Sequence, residues 1–292
     1  MAARRRDSWA EWLAVRRFGE SEDFKRESIE KLEQRRDDVL DHSALQPGES
    51  LLDVGCGEGL IGFGALERGA GSVIFSDISE DLLAFCREAA EARGLLERSR
   101  FVPASADDLA PIDSESVDVA ATRSVLIYVE DKKQAFAEFF RVLQPGGRVS
   151  LFEPINSFGH PEPRGRFCGF DVTPVAPIAD KLRHLYHAIQ PPDSDPMVDF
   201  DERDLLRLCE GAGFFPVNLR FDAEVRQLEP RPWETFLSVA GNPKIPTPAE
   251  AMEQALSAEE RQELTDYLRP LVENGNGVWR MGHAYLWAAK PA

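Results

Sequence analysis

The chain has no apolar run long enough to cross a bilayer, no C-x-x-C pair, no internal repeat, no low-complexity tract and few basic residues for its acidity. A membrane helix needs about 20 consecutive apolar residues, so a spanning segment is excluded. The start, Met-Ala-Ala-Arg-Arg-Arg-Asp, has no hydrophobic stretch of the kind a secretory signal requires, and a cytoplasmic protein without a membrane partner is expected. The four cysteines, Cys56, Cys86, Cys168 and Cys209, are scattered, which argues against a structural zinc site and against a disulfide scaffold. A reducing compartment fits. Lysine and arginine number 34 against 51 aspartate and glutamate, a formal charge of -17, and such a field repels polyanions. Nucleic acid is therefore not an expected partner. Short basic clusters at residues 4–6 and 16–17 read as solvated faces of a terminal helix. Acidity alone does not imply a cationic substrate, since it also serves solubility.

What remains is a chain of 292 residues, 43% of them hydrophobic, enough for one large α/β domain with elaborations or at most two domains. Residues 8–45 carry apolar side chains near helical spacing among many charges, with no glycine between Glu20 and Pro47. A turn at Gln46-Pro-Gly-Glu leads into a strand at 50–54. Strands then follow at 72–76, 99–103, 117–122 and 148–152, with helices at 80–93 and 132–143 between them, the second stopped at Gln144-Pro-Gly-Gly. That alternation predicts a parallel sheet with helices on both faces. From residue 154 to 200 regularity fails: eight prolines mark an insertion, interrupted by a helix at 179–189. A helix at 201–211 and a strand at 215–225 resume the pattern. A second proline-rich insertion, 229–276, holds helices near 248–256 and 258–271, and residues 277–290 read as a closing strand. The domain reading is thus an amino-terminal helical segment (1–46), a ligand-binding core (47–153), a lid insertion (154–200) and a carboxy-terminal part of the core (201–292) carrying the helical insertion.

Residues 51–59 read Leu-Leu-Asp-Val-Gly-Cys-Gly-Glu-Gly, a buried strand that stops at a turn where side chains do not fit. A second apolar run ends at Asp77, at the distance expected for a ribose-binding acid in a βαβ unit. Gly57, Gly59 and Gly62 also satisfy G-x-G-x-x-G, so a dinucleotide matches the same letters. Asp53 separates the two readings, because a turn that receives a pyrophosphate has no use for a carboxylate in front of it. A cationic, phosphate-free ligand such as S-adenosylmethionine suits it better.

These residues resemble the first motif of class I S-adenosylmethionine-dependent methyltransferases, and later segments keep the family's order. Phe-Ser-Asp-Ile-Ser at 75–79 resembles the second motif, residues 100–109 the third and residues 117–129 the fourth, while 141–153 close the series. The resemblance covers residues 45–155 and implies an α/β, Rossmann-like seven-stranded sheet whose last strand is antiparallel, inserted between the fifth and sixth. It also implies S-adenosyl-L-methionine as methyl donor and S-adenosyl-L-homocysteine as product.

Within that frame Gly55, Gly57 and Gly59 let the backbone approach the methionine part of the cofactor, and Asp53 stands before them. Asp77 offers two acceptor oxygens to a vicinal ribose diol, with Ile78 covering one face of the adenine. The resemblance makes Asp107 the acid on the adenine amino group and Ala106 the adjoining amide, next to Asp108 and with Ser105 where relatives often have aspartate. Thr122 and Arg123 border the methionine end, where Arg123 can pair with the carboxylate.

In-line methyl transfer depends on alignment, and a dedicated base is optional. Glu153 and His160 are the first candidates for contact with the acceptor, with Tyr128 third. His184 and His187, three apart, read as a solvated helix face rather than a metal pair, and no metal is expected. Phe158, Phe167, Phe170, Trp233 and Phe236 point either to an apolar or aromatic acceptor or to a small core of the insertions' own. Trp9 and Trp12 are placed to help close the site. The expected function is methyl transfer to an O or N atom of a small molecule, a homodimer being compatible with it. Three alternatives stand beside it: an NAD- or FAD-binding oxidoreductase, a catalytically silent methyltransferase-like scaffold, and an arsenic methyltransferase using Cys168 and Cys209.

Overall fold

The strand at Ser50–Val54 is buried on both faces at Leu51, Leu52 and Val54, the pattern of a central parallel strand covered by helices. The computed structural model describes residues 6–19 and 22–292, so residues 1–5, with Arg4 and Arg5 of the terminal basic cluster and the segment read for a signal, lie outside it. Helix α1 (Ser8–Glu11) starts at Asp7, whose carboxylate accepts the Trp9 and Ala10 amides. A π-helical turn, Trp12–Arg16, follows, and α2 spans Glu22–Ser43. The helical pattern of 8–45 is interrupted near Gly19, which takes a φ of +60°.

From there the order is β1 (Ser50–Val54), α3 (Leu60–Glu67), β2 (Ser72–Asp77), α4 (Glu80–Ala92), β3 (Ser99–Pro103), β4 (Val117–Arg123), α5 (Lys132–Val142) and β5 (Leu143–Ile155). A short hairpin, β6 (Arg166–Phe167) and β7 (Phe170–Asp171), precedes α6 (Ala176–Ile189), α7 (Glu202–Gly211) and β8 (Val217–Gln227). Helices α8 (Trp233–Ser238), α9 (Pro248–Ala255) and α10 (Ala258–Glu273) lead to β9 (Val278–Ala289). The seven long strands form one sheet in the order β3-β2-β1-β4-β5-β9-β8. Strands β1 to β5 run parallel where they pair. Strand β9 is antiparallel: its last residues exchange hydrogen bonds with Gly146 and Gly147 near the start of β5, and with Phe215 and Pro216 just before β8. This is the Rossmann-like sheet with an inserted antiparallel strand that the resemblance implied.

Two differences from the sequence reading have local causes. Strand β5 begins at Leu143, because the Gln144-Pro-Gly-Gly turn pairs with its neighbours and leaves only a register shift opposite Val117 and Val119. Helix α8 and the β6–β7 hairpin, neither expected, are too short for any periodicity to show.

The chain divides into two compact units. One comprises residues 29–155, 200–222 and 283–292, and holds the parallel half of the sheet with its helices. Its core runs through Val39, Leu40, Leu51, Phe63, Phe75, Cys86 and Phe152. The other comprises, of the described residues, 6–19, 22–28, 156–199 and 223–282, so both insertions fold into one body. Phe167, Phe170, Trp233 and Phe236 are 4–6% exposed and pack with Ile178, Leu182, Met252, Leu264 and Leu268. Of the five aromatics read as an acceptor signal, these four are that body's own core, and Phe158 alone is substantially exposed.

Helix α3 meets β2 at a contact that admits no side chain: a Cβ on Gly62 would lie 2.3 Å from the Phe75 ring. Gly62→Ala is therefore expected to destabilise the fold by about 1–3 kcal/mol through overpacking, despite alanine's better helix propensity. Urea unfolding measures it, and an unchanged midpoint would contradict the packing described.

Candidate active site

Beyond the carboxyl ends of parallel strands lies the crevice where α/β sheets take their ligands, and the register levels those ends here. Val54 is flanked by Ser76 on β2 and Thr122 on β4. The chain leaving β1 turns through Gly55, Gly57 and Gly59 at φ of +62°, +55° and +79°, angles that side chains rarely tolerate. Gly55 is doubly constrained, because a Cβ would lie 2.4 Å from Cγ2 of Val125.

Two carboxylates hold this turn from below. Asp53, 2% exposed, accepts the Gly62 amide at 2.8 Å and so ties the first turn of α3 to β1. Burial pushes its carboxyl up to about 7, opposed by the Gly62 N–H and the Arg123 charge and reinforced by Asp77. Asp77 accepts Gly57 N–H on one oxygen and Ser79 N–H on the other, both at 2.9 Å. Helix α4 is capped by Ser79, whose hydroxyl accepts the Leu82 amide, so Asp77 is not consumed as a cap. Ile78, next to it, is 57% exposed. On the far side of the turn the Gly57 carbonyl accepts the Cys86 thiol at 3.2 Å. Cys56 is hydrogen-bonded to Cys86, and that bond, with burial, raises its thiol well above the ordinary value. The Cys56 thiol is therefore held in its neutral form.

After β3 the chain makes a tight turn bridging Ser105 and Asp108. Ala106 is buried and Asp107 half-buried, with the Ser105 hydroxyl donating to Asp107. Asp108 is exposed and accepts the Ala110 amide. Strand β4 ends at Thr122, 1% exposed, whose Oγ1 has no hydrogen-bond partner among the described residues, and at half-buried Arg123.

Glu153 does something other than expected. It is fully buried, and its carboxylate accepts three successive amides, Val125 at 2.9 Å, Leu126 at 3.0 Å and Ile127 at 3.3 Å. Burial pushes it up to about 7, while those amides and Arg123 pull the other way. The side chain is a clamp on the turn after β4, where Ser124 takes a φ of +56°, and it presents no surface to an acceptor. Tyr128 ends that turn and is half-buried. His160 belongs to the other unit and is exposed there. In that unit burial, then Arg183, His184 and His160, lower the pKa of His187, and His184 Nδ1 lies 2.6 Å from the Asp180 carbonyl. Among the described residues no three His, Cys, Asp or Glu side chains are placed to hold a metal ion. No helix of the described residues is long and apolar enough to cross a membrane.

The roles of Cys86, Ser105 and Val125 left no mark in the sequence reading, since each acts on backbone or side chain brought near only by the fold.

A methyltransferase-domain family model matches residues 52–151, the segment that builds this carboxyl edge. The ubiquinone/menaquinone biosynthesis C-methyltransferase UbiE of Vibrio parahaemolyticus is 33% identical over 188 residues, 60% of this chain and 68% of that one. The enzyme of the same description from Idiomarina loihiensis is 29% identical over 192 residues, 62% and 72% of the two chains. In structure, geranyl diphosphate methyltransferase in complex with S-adenosylmethionine superposes with a TM-score of 0.54 at 17% identity, covering 93% of this chain and 92% of that chain. The chain belongs to the class I S-adenosylmethionine-dependent methyltransferases.

The buried clamp makes a pH prediction. Glu153 titrates near 4.3 in an unfolded chain and near 7 in the fold, so the folded state holds the proton more tightly. Its contribution to stability is complete at low pH and is lost as pH rises from about 4.5 through 7. Between pH 5 and 8 the wild type should lose up to about 3 kcal/mol more stability than Glu153→Gln, in denaturant unfolding at each pH. Equal losses would contradict the assignment.

Proposed function

We propose that this carboxyl edge binds S-adenosylmethionine and directs its methyl group onto a small-molecule acceptor. The observation that carries the reading is Asp77, fixed by two backbone amides at the end of β2, beside an apolar side chain left 57% exposed. A carboxylate oriented in this way accepts both hydroxyls of a ribose, and Ile78 covers the adenine face. Asp107, steadied by Ser105, takes the adenine amino group, with the Ala106 amide beside it. The positive-φ glycines admit the methionine chain. Asp53 sets a carboxylate beneath it, and Thr122, with its unpartnered buried hydroxyl, and Arg123 border its amino-acid end. The donor set fits a ligand with a diol, an exocyclic amine, an ammonium and a carboxylate.

S-adenosylmethionine, when bound, supplies an electrophilic sulfonium methyl. The chain's own part is to exclude water and hold acceptor, methyl and sulfur in line, a contribution worth several orders of magnitude in rate. With Glu153 committed to backbone amides, Tyr128 is the proton-handling candidate that the cofactor-bearing unit itself supplies. An O or N acceptor fits this arrangement. A second reading, methylation at carbon, is favoured by the name of the relatives that are about 30% identical to the chain over the aligned residues. Transfer from a carbon-13-methyl donor, followed by the chemical shift of the product methyl, separates the three atom types.

Asp77→Ala is expected to weaken S-adenosylhomocysteine binding by about 2 kcal/mol or more, because a buried diol loses its acceptors. Calorimetry measures it, and an unchanged Kd would refute the ribose assignment.

A further inference from the structure

One cation near the carboxyl edge, Arg35, has no counter-charge among the described residues. Helix α2 lies over β5 in a register set by Ser150, whose hydroxyl donates to the Val39 carbonyl at 2.7 Å. One turn earlier on the helix, and two residues further along the strand, the Arg35 guanidinium stacks 5.0 Å from the centre of the Phe152 ring. Phe152 pairs in register with Arg123, so Arg35 stands at the level where β4 ends. It is half-buried and makes neither an ion pair nor a hydrogen bond with any described residue. Burial lowers its pKa, and the group acting against this is the Tyr285 phenol, not a carboxylate.

Its neighbours are otherwise engaged. Arg36, the next residue, pairs with Asp37 at 3.0 Å. Asp38, which could have reached back along the helix, takes the Tyr285 hydroxyl and pairs with Arg220 at 3.4 Å. His283, 5.3 Å from the Phe152 ring, faces Asp222. Burying a cation without a partner is costly unless a ligand supplies the opposite charge, and an arginine fork presents paired N–H donors matched to a carboxylate.

The strand order indicates which ligand this is. The cofactor residues cluster at the ends of β2, β1 and β4, whereas Arg35 sits over β5, further along the sheet. We propose that Arg35 anchors a carboxylate of the methyl acceptor, and that the acceptor is an organic acid. This rests on the methyl-transfer reading above.

The test uses the full chain saturated with S-adenosylhomocysteine and two pairs of probes, benzoate with benzamide and hexanoate with hexanamide, followed by ligand-observed NMR titration. In the wild type the acid of at least one pair should bind about tenfold more tightly than its amide, a difference that Arg35→Met reduces to about twofold or less. Arg35→Met should bind S-adenosylhomocysteine as the wild type does, which also shows that it is folded. Acids and amides binding alike to the wild type, or an acid preference that survives in Arg35→Met, would overturn the proposal. So would a selective loss of S-adenosylhomocysteine affinity in Arg35→Met with 5′-methylthioadenosine unaffected, since Arg35 would then serve the cofactor's own carboxylate. Failure of the wild type to bind S-adenosylhomocysteine at all would instead remove the methyl-transfer reading itself.

Discussion

The hydrogen bond from the Gly57 amide to Asp77, 2.9 Å long, joins the glycine turn after β1 to the end of β2. Beside it the turn is held by the Cys56 amide on the Ser76 carbonyl, the Gly59 amide on the Cys56 carbonyl and the Cys86 thiol. With it the carboxylate is oriented, since its other oxygen is taken by Ser79, and the crest of the turn is set against the strand ends. The bond is part-buried, and hydrogen bonds to a carboxylate are about twice as strong as neutral ones. The remaining site parts are arranged around this tie: Asp53 secures the helix that follows the turn, and Val125 fills the space where a Gly55 side chain would stand.

A second feature is the use of acids as scaffolding. Asp53, Asp77 and Glu153 all spend their oxygens on backbone amides of the turns that line the edge. A carboxylate is well suited to this, because it accepts several N–H groups at once and donates none. The cost is desolvation, visible in Asp53 and Glu153 being pushed up to about 7. Arg123 offsets part of that cost for both. The consequence is that the edge is held by hydrogen bonds of the chain itself, the kind of fixed frame that alignment-driven transfer requires.

Much of this is legible in the sequence where the chain is regular. Strand periodicity and glycine spacing locate β1, β2, β3 and β4 to within a residue, because buried parallel strands are short apolar runs ended by turn residues. Ser79, which caps α4, carries the side-chain oxygen that a helix start needs. What stays hidden is long-range. The aromatics of two insertions about 60 residues apart in sequence condense into one core, which periodicity within either insertion cannot reveal. Glu153 reads as an acid at a strand end, and only the folded turn shows three amides converging on it. Arg35 is one of many charges on a polar helix until its missing partner is seen.

The central claim is that the ends of β1, β2, β3 and β4 form a single S-adenosylmethionine site. Hydrogen exchange with and without S-adenosylhomocysteine tests it most directly. The account predicts slower exchange at residues 55–62, 77–80 and 104–108 and in the turn at 123–128, with NAD producing none of it. Protection elsewhere in the chain, or equal protection by NAD, would contradict it.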